Sequence, residues 1–155
     1  MSTEPKGHAV VKSEGHIWEM EPGRLAVFKL LAEQTGGSIA AFEETVPVGA
    51  GTPLHVHLTS DEVLYVRSGD FKFQLGDEQR QVSAGAWIFI PLGSVHGWRN
   101  SGTDEGYLLN IFTPAAGARV FEELMRQGKS IPEIDPSIRD EIFERNGYEF
   151  ITWDW

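Results

Sequence analysis

Short apolar runs, many alternating with polar residues, recur along most of the chain. They fall at 25–31, 38–46, 54–58, 63–66, 71–75, 87–90 and 107–112. A period of two marks a strand with one buried face. Phe71, Phe73 and Leu75 show it most cleanly, all on one side of their segment. Turn signals separate the runs: Gly36 with Gly37, residues 48–51, Ser68-Gly69-Asp70, Gly76-Asp77, Gly93-Ser94 and Ser101-Gly102. Many short strands at close spacing, divided by glycine-rich turns, predict an all-β sandwich or barrel.

After Thr113 the pattern changes. Thr113 and Pro114 read as a helix N-cap and first helical residue. Val120, Phe121, Leu124 and Met125 then recur at helical spacing, with Gly128 as the stop. A second helix is predicted from Asp135 and Pro136 to about Arg145, with Ile138 and Ile142 on one face. The sequence ends in YEFITWDW, an aromatic tail that must pack on something. The expected organisation is a polar, partly mobile segment at 1–24, a β-barrel at 25–113, and a helical appendage at 114–155 packed on the barrel.

Composition narrows the function classes. A chain of 155 residues suits one domain with one core. It has no run of about eighteen apolar residues, so no membrane span is expected. The first residues, MSTEPKGHAVVK, lack the apolar stretch of a secretory signal, and a cytoplasmic location is the default expectation. There is no cysteine, which excludes disulfide frameworks, Cys-ligated zinc and thiol catalysis. A net charge of −10 repels phosphate backbones and anionic membranes, leaving a small molecule as the expected partner.

Within this frame His55, His57, Glu62 and His96 stand out. Residues i and i+2 of a strand share a face, so His55 and His57 project side by side, about 7 Å apart at Cα. Glu62 follows at an odd offset that fails within one strand; it works if 59–61 turn and Glu62 opens a partner strand. His96 arrives from a later strand. Three imidazoles and a carboxylate are what a divalent transition metal takes as ligands. His8 and His16 lie in the polar N-terminal segment and read as surface residues.

The surroundings of these four residues resemble the cupin signature. Its first motif, G-x5-H-x-H-x4-E-x6-G, falls on Gly49, His55, His57, Glu62 and Gly69, and its second, G-x5-P-x-G-x2-H-x3-N, on Gly85, Pro91, Gly93, His96 and Asn100. The resemblance implies a double-stranded β-helix, or jelly roll, with His55, His57, Glu62 and His96 holding one metal inside one end. Gly69, Gly85 and Gly93 would take backbone conformations closed to residues with Cβ, and Asn100 would tie its strand by hydrogen bonds. Ligand type does not separate Fe, Mn, Ni, Co or Zn as the ion. Glu62 can also accept a substrate proton, which makes it the candidate catalytic residue.

Trp98, Leu64, Val66, Phe73, Asn110 and Phe112 fall in phase to line an apolar pocket for a flat organic molecule; the same positions serve equally as barrel core. The phrase FTPAAGARVFEEL at 112–124 resembles bacterial cupins related to quercetin 2,3-dioxygenase. That implies a metal-dependent dioxygenase acting on a small phenolic, enolic or polyketide-like molecule, with Glu62 at the substrate hydroxyl. The alternatives are a non-oxidative metal-dependent isomerase, cyclase or lyase, and a non-catalytic binding cupin. Cupins of this size also imply a homodimer, and the helical tail could be a lid, an outer layer or an interface.

Overall fold

The computed structural model describes residues 4–155. Eleven strands run in chain order: β1 (His16–Glu21), β2 (Arg24–Leu30), β3 (Ala40–Val46), β4 (Leu54–His57), β5 (Asp61–Ser68), β6 (Asp70–Leu75), β7 (Glu78–Ser83), β8 (Trp87–Ile90), β9 (His96–Asn100), β10 (Gly106–Thr113) and β11 (Tyr148–Thr152). Helices α1 (Arg119–Arg126) and α2 (Pro136–Arg145) lie between β10 and β11. The strands form two antiparallel sheets, a six-stranded one ordered β1-β2-β3-β10-β5-β8 and a five-stranded one ordered β11-β4-β9-β6-β7. Together they make the expected jelly roll.

Alternation buries one face of each central strand of the six-stranded sheet. On β3, Ala40, Phe42, Glu44 and Val46 are buried; on β5, Glu62, Leu64 and Val66; on β10, Gly106, Leu108, Asn110 and Phe112. Two apolar clusters result. One gathers Trp18, Met20, Phe28, Phe42 and Phe112 with Val120, Leu124 and Ile142 of the helices. The other gathers Val46, Leu64, Val66, Phe71, Phe73, Trp98 and Leu108. Glu44 lies between Phe42 and Val46, and Asn110 between Leu108 and Phe112, so a polar layer separates the clusters.

The glycines of the two motifs sit where a side chain is penalised. Gly69, Gly85 and Gly93 have φ of +93°, +94° and +83°. Asn100 Nδ2 donates to the carbonyls of Val46 and Asp104 at 3.0 and 2.9 Å, and Gly102 N–H donates to its Oδ1 at 2.9 Å. That is the tying role expected of it.

Several boundaries differ from expectation. Residues 16–21, inside the segment expected to be polar and mobile, form edge strand β1 against β2. Glu62 does open a strand, but β5 belongs to the sheet opposite β4 and pairs with β10 and β8. Thr113 is not a helix cap. It continues the β10–β5 ladder opposite Asp61, and a short 3-10 turn at Ala115–Ala118 precedes α1. The second helix matches: Asp135 caps it, accepting from Ser137 N–H at 2.9 Å, with Pro136 at its first position. Only its second half leans on the barrel, so Ile142 is buried while Ile138 is exposed.

The aromatic tail is not part of a helical appendage. Tyr148–Thr152 forms β11, antiparallel to β4, and completes the five-stranded sheet. Trp155 folds back with its indole N–H donating to Thr52 O at 3.2 Å and Lys72 and Arg99 over its ring. Among the described residues, no helix is long and apolar enough to cross a membrane.

Candidate metal centre

Strand β4 carries His55 and His57, β9 carries His96 directly opposite His55, and β5 supplies Glu62 from the facing sheet. All four side chains are buried, and their ligand atoms lie within 4.8 Å of one another. The neighbouring carboxylate, Asp61, instead accepts from Leu92 N–H at 2.8 Å.

Hydrogen bonding decides which ring nitrogen faces inward. His55 Nδ1 lies 2.8 Å from Pro53 O, and His96 Nδ1 lies 2.9 Å from Ser94 O. A carbonyl only accepts, so each Nδ1 carries the proton and each Nε2 of the neutral ring is a lone pair. Metal-ligating imidazoles are oriented in this way. His96 Nε2 then faces Glu62 Oε2 at 3.0 Å, and His57 Nε2 stands 3.6 Å from the same oxygen. A lone pair and a carboxylate oxygen at 3.0 Å need a proton or a cation between them. That spacing also suits two adjacent ligands, each about 2.1 Å from one ion. The donor set can therefore hold a divalent metal.

Electrostatics prepares the same set. Burial, with the neighbouring imidazoles, holds His55 well below the ordinary imidazole value. Burial pulls His57 down to about 4, against the opposing charge of Glu62. Burial pushes the Glu62 carboxyl up, but the His96 hydrogen bond and the His57 and His96 charges outweigh it and keep the carboxyl below its usual range. Neutral imidazoles beside an ionised carboxylate are the protonation state a metal requires.

The centre opens on a cavity of about 650 Å³. Trp98 and Asn110 line it. Leu64 and Phe73 lie instead in the second apolar cluster, and Val66 with them. Phe112 packs in the first cluster, edge-on to His57 at 5.1 Å between ring centroids. These four do not line the cavity; Met20, Phe42, Phe121 and Phe143 supply its apolar wall. His8 and His16 are exposed and take no part.

Three cavity residues escaped the sequence reading. Tyr148 stacks on His55 with centroids 4.8 Å apart and on Phe143 at 4.7 Å. Burial raises its phenol pKa; the Arg24 charge opposes that and the Glu62 charge adds to it. Arg24 and Glu44 form a buried pair, Nε donating to Oε2 at 2.9 Å. Burial raises the Glu44 pKa despite Arg24. The signal for Arg24 and Glu44 was their phase: both alternate with inward apolar residues, Ala26 and Phe28 on β2, Phe42 and Val46 on β3. Tyr148 had no comparable signal, because a strand straight after a helix breaks the local pattern.

Comparison with known proteins agrees with this fold. The Cupin domain family matches residues 42–112. An uncharacterized protein of Aquifex aeolicus is 31% identical over 106 residues, 68% of this chain and 78% of the relative. A protein of Methanocaldococcus jannaschii is 40% identical over 60 residues, 39% of this chain and 48% of its own, so the match spans about half of that relative. Two solved structures share the fold. A predicted oxalate decarboxylase from Thermotoga maritima is 20% identical with a TM-score of 0.62, covering 69% of this chain and 99% of that one. The polyketide cyclase RemF from Streptomyces resistomycificus is 22% identical with a TM-score of 0.58, covering 70% and 80%. One fold thus carries different activities among its neighbours.

Proposed function

The chain belongs to the cupin superfamily, and on that premise we propose that it is a metal-dependent dioxygenase of small phenolic, enolic or polyketide-like molecules. The observation that carries this reading is the buried three-His, one-Glu cluster opening on a cavity of about 650 Å³ whose apolar wall is mostly aromatic. That volume suits a small organic molecule rather than a polymer. His55, His57, Glu62 and His96 would hold a divalent ion, which would supply Lewis-acid chemistry at substrate oxygens and, where redox-active, dioxygen chemistry.

The chain's own residues do the rest. Glu62, ionised at neutral pH, accepts the proton of a substrate hydroxyl brought against it. Phe42, Phe121 and Phe143 take up the flat body of the substrate and exclude water. Pro53 O and Ser94 O keep two imidazoles in the tautomer that presents Nε2.

The test uses protein purified under low oxygen and loaded separately with Fe(II), Mn(II), Co(II), Ni(II) or Zn(II), with quercetin and simple catechols as probes. Oxygen uptake should accompany substrate loss, stop under anaerobic conditions, and fall by at least about 100-fold in Glu62→Gln. Turnover unchanged without oxygen would overturn the oxidative reading.

A second reading, a non-oxidative cyclase or isomerase, is supported by Glu62 and the Tyr148 phenol lining one cavity as a base and an acid. The name of the structural neighbour RemF points the same way. It expects undiminished turnover with redox-inert zinc.

A further inference from the structure

The cavity contains polar groups that the metal centre does not use. We propose that Arg24, with Asn110 beside it, binds an uncharged hydrogen-bond-accepting oxygen of the substrate, so that the pocket selects flat neutral molecules bearing a carbonyl in addition to a chelating oxygen pair. The chelating pair rests on the function proposed above; the carbonyl subsite stands on its own residues.

Arg24 is 5% exposed and lines the cavity. Its guanidinium is held in place. Nε donates to Glu44 Oε2 at 2.9 Å, Nη1 donates to Gly51 O at 3.0 Å, and Cζ lies 4.9 Å from the centroid of the Trp98 ring. A guanidinium has five N–H donors in a rigid fork. Among the described residues Nη2 has no protein acceptor. Asn110, 2% exposed, also lines the cavity. Its Nδ2 reaches Glu44 Oε1 only through a long 3.4 Å contact, which leaves the amide N–H groups able to donate to a bound oxygen. Both side chains line the cavity, where an oxygen of a bound molecule can accept from their remaining N–H groups.

The charge balance tells which oxygen fits. Arg24 is compensated by Glu44 at 2.9 Å and by Glu21 at 3.6 Å. The subsite therefore offers strong donors without net positive charge. Six carboxylates line the cavity against two guanidiniums. A carboxylate or phosphate ligand is repelled there, whereas a ketone, quinone or amide carbonyl is not.

The experiment compares 4-ethylcatechol with the dihydroxyacetophenone isomers that keep the catechol pair. Binding is followed by tryptophan fluorescence on zinc-loaded and zinc-free protein, with zinc content measured in parallel. In the wild type at least one ketone should bind about five- to tenfold more tightly than the ethyl compound, zinc-loaded or zinc-free. The ratio should fall to about one in Arg24→Lys, which keeps a charge opposite Glu44 but loses the planar fork. It should also do so in Arg24→Met/Glu44→Gln, which removes the pair together; circular dichroism checks that both variants fold. A ratio near one for every isomer in the wild type overturns the proposal. A ratio that survives in both folded variants does so too, since it then comes from the acidity of the catechol. If zinc tightens no catechol, the metal reading fails, and the zinc-free ratio still decides this one.

Discussion

Burial keeps His55 and His57 neutral, and that has a consequence for acid stability. Unfolded histidine titrates near 6.5, whereas folded His57 titrates at about 4 and His55 well below its ordinary value. Between those limits the unfolded chain binds more protons, so stability of metal-free protein falls as the pH drops from about 6.5 toward 4. Glu62 adds to the trend: its folded pKa is lowered, so its contribution is present above its unfolded value and lost as pH falls through its folded one. Urea unfolding of metal-free protein at pH 7 and pH 4.5 should differ by about 3 kcal/mol or more, and His57→Gln should narrow the gap. A flat profile would show that the imidazoles are not neutral in the fold. The four ligands were legible in the sequence because their spacing and their Gly-Pro frame are local. Arg24, Glu44 and Tyr148 were not, because a buried charge or a cavity phenol is defined by what crosses the barrel to meet it.

The strand that carries two of the ligands is short and depends on a neighbour from the far end of the chain. β4 pairs with β9 only through His55 and His96, but with β11 at four positions: Tyr148 opposite His57, Glu149 opposite Val56, Phe150 opposite His55 and Thr152 opposite Leu54. Tyr148 also stacks on His55. Deleting residues 148–155 removes no ligand, yet it should weaken zinc binding about tenfold or more, as loss of ligand-orienting contacts does. Competition with a chromophoric chelator measures this, and unchanged affinity would make β11 dispensable to the centre. β11 was missed because periodicity cannot show that a tail after a helix returns to a sheet. β7 was missed because Glu78–Ser83 is polar, and as an edge strand it has little to bury. The helical reading of Thr113 and Pro114 failed because the ladder to β5 outlasted a local capping signal.

Across the whole molecule, the barrel holds a polar layer between two apolar clusters where a continuous core would be more stable. Burying Arg24 and Glu44 strips both charges of water, and their mutual attraction offsets that only in part. Retaining such a layer makes sense if the cavity it borders is used, since binding sites commonly hold stability below its optimum. The two readings of the layer separate in a mutational cycle. Arg24→Met alone leaves a buried carboxylate without its partner and should cost about 3–5 kcal/mol. Arg24→Met/Glu44→Leu replaces the pair with apolar side chains that join the two clusters, and should recover that loss or exceed wild-type stability by about 1–4 kcal/mol. Guanidinium unfolding of the metal-free proteins gives the comparison. If the double variant stays as unstable as the single one, the pair supports the fold itself. If it recovers, the polar layer is kept for what the cavity binds.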